Sequence, residues 1–268
     1  MRRALLAVVA VAALACDHRT PESESSTWRS SLAPGRAIRI RNLNGPIRVQ
    51  PTEGGPVEVT AVKHYEGSRP QEVRFVTGTD GDGAFVCAVW GGGTSCDKQR
   101  SDRSHRSVWA RILGHGGGVE VEFSVLVPPG VRVDVGTTNG DVRVEGVTGA
   151  TTARTVNGNV RVAGASGPVD AATVNGSVTT SVDHYDPSQP LALKTVNGSV
   201  TAELPEGVDA TVEMSTVNGR VNAEFPVTVQ GAVSPKRLRG IIGGGGGEIR
   251  LETVNGGVTL KRRGASTS

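Results

Sequence analysis

The sequence predicts an all-β protein built as a solenoid of short two-strand rungs. Three features carry this expectation: a composition that favours strands and turns, a recurring tetrad, and a period-two apolar pattern that changes parity at each copy of the tetrad. Glycine supplies 37 of the 268 residues, aromatics only 3%, and valine leads the apolar set. Valine and glycine without helix formers favour strands joined by tight turns. Beyond residue 16 no stretch carries the sustained 3.6-residue apolar stripe of a helix.

The tetrad Thr-Val-Asn-Gly ends at Asn157-Gly158, Asn175-Gly176, Asn197-Gly198, Asn218-Gly219 and Asn255-Gly256. Thr137-Thr138-Asn139-Gly140 is a near-copy, and Leu43-Asn44-Gly45 an early, divergent one. From Asn139 the steps are 18, 18, 22, 21 and 37 residues. The last is close to twice the period, which predicts one unit there without the signature.

With each Asn as position zero, positions −6, −4 and −2 are apolar or Thr, as in Val169/Ala171/Thr173 and Leu191/Leu193/Thr195. Positions +3 and +5 are mostly apolar, as in Val160/Val162 and Val200/Ala202. Each unit therefore reads as two short strands of period two, with the parity shifted by one residue at Asn-Gly. Two architectures satisfy this pattern. Asn-Gly between alternating strands is a strong type I′ hairpin signal, giving a meander or sandwich. In a parallel solenoid, Asn-Gly is instead a corner, near-identical corners stack, and successive Asn side chains can form a hydrogen-bonded ladder. Stacking of like on like explains why the same four residues recur, so the solenoid is the expectation. The Val at −1 (Val156, Val174, Val196, Val217, Val254) has the opposite parity. It either forms an outward apolar ladder or tucks inward where the turn begins.

The N-terminus reads as an export signal. Arg2 and Arg3 precede an unbroken Ala/Leu/Val run from Ala4 to Ala15, too short to span a bilayer and the right length for a signal core. The run ends Ala13-Leu14-Ala15-Cys16, which resembles the bacterial lipobox, where the cysteine is lipidated. The resulting organisation is signal peptide 1–15, lipidated Cys16 with a flexible Pro/Ser-rich tether to 34, an irregular β part 35–130, a solenoid 131–261 and a disordered tail 262–268. Removing residues 1–15 lowers the formal net charge from +3 to +1, so the mature chain makes no general case for nucleic-acid binding.

In the irregular part, Val57–Val62, Val73–Val76, Phe85–Val89 and Val119–Val125 read as strands. Between the last two lies an insertion, 90–118, carrying Lys98, Arg100, Arg103, Arg106 and Arg111. It is either a solvated loop or a basic contact site for anionic envelope polymer or lipid headgroups. Outside the cytoplasm Cys87 and Cys96 are expected to pair, a closure worth about 2.7 kcal/mol on the chain-entropy model. Two unlinked thiols are the alternative.

The run Leu126-Val127-Pro128-Pro129-Gly130-Val131-Arg132-Val133-Asp134-Val135, the following Thr138-Asn139-Gly140-Asp141-Val142 and the repeated tetrads together resemble the bacterial putative-adhesin family of β-strand-repeat domains. The resemblance covers roughly residues 36–261 and includes the glycine run Gly243 to Gly247. It implies a right-handed β-helix-like stack and an envelope location, and it implies no catalytic residues.

Acidic residues fall at different repeat positions and make no recurring carboxylate face of the kind a glycan-cleaving β-helix needs. His184-Tyr185-Asp186 lies in the extra residues of a 22-residue step and reads as a loop. His105 and His115 have spacing too weak to indicate a metal. Gly243 to Gly247 lacks the Lys-Ser/Thr of a phosphate loop. From residue 130 onward only Tyr185 and Phe225 are aromatic, which argues against ring-stacking sugar sites. No cofactor and no nucleic acid is expected. The expected function is a non-enzymatic, lipid-anchored envelope protein, periplasmic or surface-exposed, that meets an envelope protein or polysaccharide. The alternatives are a β-helical polysaccharide-acting enzyme and an accessory to envelope-stress signalling.

Overall fold

The computed structural model describes residues 22–65, 73–91, 119–231 and 234–263, and these contain strands and no helix. The repeat units form parallel rungs, each placing one strand in an eleven-stranded sheet and the next in a ten-stranded sheet. The regular rungs are β8–β9 (Arg132–Gly136, Val142–Glu145), β10–β11 (Thr151–Arg154, Val160–Ala165), β12–β13 (Val169–Ala172, Val178–Val182) and β14–β15 (Leu191–Lys194, Val200–Leu204). The early copy around Asn44 is a rung too, formed by β2 (Ala37–Arg41) and β3 (Ile47–Pro51), which pair in parallel with β8 and β9.

The side-chain parity read from the sequence is the parity of burial. Val133, Val135, Val160, Val162, Val178, Leu191, Leu193 and Val200 are at most 3% exposed. Registers place like on like: Val160 pairs with Val142 and Val178, and Val200 with Val178 and Val258. The inward faces of both sheets share one core of Val, Leu, Ile and Ala, where each fully buried aliphatic side chain contributes about 1.5–3 kcal/mol. A hairpin meander would pair the two strands of each unit antiparallel; these units pair with their neighbours in parallel instead.

Among the described residues, the 37-residue step holds no further rung. After β16 (Ala210–Asn218) and β17 (Val221–Ala223), the chain runs through β18 (Val227–Val229) and β19 (Arg237–Ile242), and β19 pairs antiparallel with β16. It then returns as β20 (Gly247–Asn255) and β21 (Val258–Arg262), which insert between the β14–β15 rung and the β16–β17 rung. The spatial order of the corner residues is Asn44, Asn139, Asn157, Asn175, Asn197, Asn255, Asn218.

Antiparallel strands stop the stack at its other end as well. In the ten-stranded sheet β4 (Val57–Tyr65) pairs antiparallel with β7 (Val119–Val127) and with β1 (Glu22–Ser30). In the eleven-stranded sheet β5 (Val73–Thr79) pairs antiparallel with β6 (Gly83–Trp90). β1 corrects the expectation of a tether continuous to residue 34. Its Ser- and Thr-rich stretch alternates around Trp28 and is paired residue for residue with β4, so backbone hydrogen bonds outweigh its polar composition. At this end the core turns aromatic: Trp28 meets Phe75 edge-on at 4.9 Å, and Phe75 lies 6.1 Å from Phe123. Lys63, on the inward face of β4, is held by Glu24 at 3.2 Å and by the Phe75 ring at 5.1 Å.

Candidate functional site

Each letter of the tetrad has a separate job at the corner. The Asn side chains form a continuous ladder. Nδ2 of Asn157 donates to Oδ1 of Asn139 at 2.8 Å, and the same bond recurs from Asn175, Asn197, Asn255 and Asn218 at 2.8–2.9 Å. The Gly lies so close to the neighbouring rung that a side chain cannot fit. At Gly198, with φ +152°, an added Cβ would stand 2.0 Å from the carbonyl oxygen of Gly176. The Thr at −2 is buried, and its hydroxyl donates to the Gly carbonyl of the adjacent rung, as from Thr155 to Gly140, Thr173 to Gly158 and Thr195 to Gly176 at 2.8–2.9 Å. This role is not evident from the sequence, where Thr reads as a core filler; its recurrence at a buried position is the signal.

The Val at −1 faces outward rather than inward. Val217, Val174 and Val254 are 56%, 39% and 37% exposed, and Val156 and Val196 are partly exposed. Burial keeps alternating beyond the strand ends up to the Asn, so the residue between an inward Thr and the corner points out. Val156, Val174, Val196 and Val254 thus line one corner as an aliphatic stripe, with consecutive rungs one strand spacing apart, ~4.8 Å.

Beside this stripe, the outer face of the eleven-stranded sheet holds a groove of about 900 Å³. Gly136, Thr152, Ala172, Phe85, Val76 and the corner residues Thr138, Val156 and Val174 are among its lining. The charges along it are matched across rungs. Arg41 binds Asp134 and Arg154 binds Asp170, each at 2.6 Å. Arg39 binds Asp80 and lies 5.6 Å over the Phe85 ring. The Arg39 guanidinium, aided by the backbone N–H of Asp82, lowers the Asp80 carboxyl to about 2.

The predicted sites fall in different places. The corner residues Asn139, Gly140, Asn157, Gly158, Asn175, Gly176, Asn197, Gly198, Asn218, Gly219, Asn255 and Gly256 come together as one edge of the stack. Cys87 is buried and disulfide-bonded. Its expected partner Cys96, the basic residues Lys98, Arg100, Arg103, Arg106 and Arg111, and Cys16 lie outside the described residues. His184, Tyr185 and Asp186 line one cavity of about 10 Å³, too small to admit a substrate. Asp186 accepts from the N–H and hydroxyl of Ser188 and from Gln189, bonds that hold it below the usual carboxylate range. Burial pushes the Tyr185 phenol up to about 12. Among the described residues no group of three or more His, Cys, Asp or Glu is placed to hold a metal ion.

No curated protein matches the chain. Among solved structures it resembles that of a putative cell adhesion protein from Clostridium sporogenes ATCC 15579 at a TM-score of 0.52 and 10% identity, over 91% of this chain and all of that one. A putative adhesin from Bacteroides fragilis NCTC 9343 aligns over 91% of this chain and 99% of its own at 10% identity, with a TM-score of 0.31. The first likeness bears on fold alone. The model of the Toastrack DUF4097 family matches residues 119–261, from β7 into β21, and the chain belongs to that family.

Proposed function

We propose that the protein is a non-enzymatic component of the cell envelope, lipid-anchored through Cys16, whose solenoid presents a rigid surface to an envelope partner. One observation carries this reading: the rungs stack in residue register, apart from a bulge between Ala163 and Ala165, so outward positions form straight rows across many strands. Such rows suit an extended partner better than a small substrate. Asp134 and Asp170, outward on the eleven-stranded sheet, support the same reading, because each is engaged by an arginine of the neighbouring strand.

The test uses the full chain purified from membranes in detergent. It is expected to bind isolated cell envelopes saturably and to release no reducing ends from a panel of envelope glycans. Turnover of any glycan would overturn the non-enzymatic reading, and absence of saturable binding would overturn the platform. Cys16→Ala is expected to move the protein from the membrane fraction to the soluble fraction.

A further inference from the structure

The outer face of the ten-stranded sheet carries a row without a single carboxylate or apolar side chain. At its centre Arg48 pairs in register with Arg143, and Arg143 with Arg161. On one side the row continues through Thr179, Thr201 and Thr259 and ends at Asn222. On the other it continues through Ser124, Thr60 and Thr27. None of these side chains is buried. Every one of them can donate a hydrogen bond. The row crosses all ten strands of the sheet, a length of about 43 Å at ~4.8 Å per strand.

The arginines have no structural reason to be neighbours. Like charges directly opposite on adjacent strands destabilise a sheet. Arg48 is relieved by Glu122, and Arg143 only partly by Asp141 at 3.8 Å. Arg161 has no carboxylate within 4 Å among the described residues. The other sheet handles its arginines differently, matching Arg41 and Arg154 to aspartates at 2.6 Å. The next row of the ten-stranded face mixes Glu145 and Glu203 with Gln50, Ser181 and Lys261, so the run of neighbouring arginines has no counterpart beside it.

We infer that this row is a binding track for an acidic polysaccharide lying along the solenoid axis. The inference rests on the platform reading and adds to it the face and the ligand class. Carboxylates of the glycan meet the guanidiniums of Arg143 and Arg161, and its hydroxyls and ring oxygens meet the threonine and serine hydroxyls. Aromatic platforms are unnecessary on such a track, because charge and hydrogen bonds supply the contact.

Polygalacturonate is the probe, with neutral dextran and polyphosphate as comparisons, and the full chain in detergent is the protein. The wild type is expected to bind polygalacturonate, more weakly as salt rises, and to ignore dextran. Arg143→Glu with Arg161→Glu is expected to lower affinity about ten-fold or more. Thr201→Val with Thr259→Val keeps good strand formers and is expected to lower it by a smaller factor. Arg154→Glu, on the other sheet, is expected to leave it within about two-fold, since it touches no track residue. Equal loss in Arg154→Glu and the track variants would overturn the assignment of the face. Preference for polyphosphate, or unchanged binding in the charge-reversed variant, would overturn the ligand class. Envelope binding retained without any polygalacturonate binding would sink this inference alone and leave the platform standing.

Discussion

The middle rungs and the end near β1 solve the same packing problem in opposite ways. In the middle, small residues recur and the corners stack copies on copies, Asn on Asn and Gly on Gly, with Val142, Val160 and Val178 in line beneath them. At the end, the strands turn antiparallel and the core is closed by Trp28, Phe75 and Phe123 with the Lys63–Glu24 pair, none of them repeated. A stack of like on like has no internal reason to stop, and its last rung would expose a sheet edge and an open core. Large, dissimilar side chains and reversed strands provide the stop. The far end follows the same logic with β18 and β19 antiparallel and Phe225 buried beneath Arg262. Repetition therefore sets the register and irregularity sets the length.

The comparison breaks most sharply in the core. Val200 is fully buried between Val178 and Val258. Val200→Asp places an unpaired charge there and is expected to cost more than about 4 kcal/mol, enough to unfold or aggregate the protein. A thermal melt matching the parent would show that the inward face has been misassigned.

The corner should be nearly as intolerant, and only in the stack. Gly198→Ala meets the Gly176 carbonyl at 2.0 Å, where backbone faces backbone and nothing flexible can yield. A loss of about 3 kcal/mol or more is expected. Gly35, near the β1 end, has φ +82° but nothing within 4 Å of an added Cβ. Gly35→Ala should cost only the left-handed backbone penalty, about 1–2 kcal/mol. Urea denaturation of both variants measures the gap, and equal losses would show that close rung contact does not govern the corner.

Much of this contrast was legible in the sequence. Alternation about Asn-Gly exposed the inward residues, and recurrence of the tetrad pointed to stacked corners, because only self-contact rewards identity at all four positions. The order of the rungs was not legible: spacing along the chain reports sequence order, and the unit at Asn255 lies between those at Asn197 and Asn218. The strand at Glu22–Ser30 was hidden by its serines, since its partner β4 supplies the pairing that its composition does not advertise. The groove was hidden for a similar reason. Arg41 and Asp134 stand 93 positions apart, and only the register of β2 on β8 brings them together. The arginine–threonine row was present in the letters at +4 but became a row only once the parallel registers were known.

The side-chain ladder is a milder test. Asn175 donates to Asn157 and accepts from Asn197. Asn175→Ala removes both bonds while keeping the backbone bridges, and about 1–2 kcal/mol should be lost. The same change at Asn44 removes a bond to the Val119 carbonyl at 3.0 Å and lies outside that run of side-chain bonds. A smaller loss at Asn44 than at Asn175 is therefore expected in the same denaturant series. The reverse ranking would mean that the ladder is a by-product of stacking rather than a contributor to it.

The smallest effect belongs to the irregular end and is read through pH. Asp80 accepts from the N–H groups of Asp82 and Gly83 and binds Arg39, and its carboxyl is lowered to about 2 from an ordinary 3.8. A depressed carboxylate stabilises the fold above its unfolded pKa and loses that contribution as pH falls through the folded value. Asp80→Asn retains an acceptor for the two N–H groups but cannot hold the Arg39 charge. The difference in melting temperature between parent and variant should be constant above about pH 5 and shrink between about pH 5 and pH 2. Because the carboxylate is open to solvent on one side, the difference should be smaller than that at Asn175 and should diminish with added salt. A difference that persists unchanged at pH 2 would assign the effect to the turn geometry alone, and the ion pair across to β2 would then contribute nothing to closing this end of the stack.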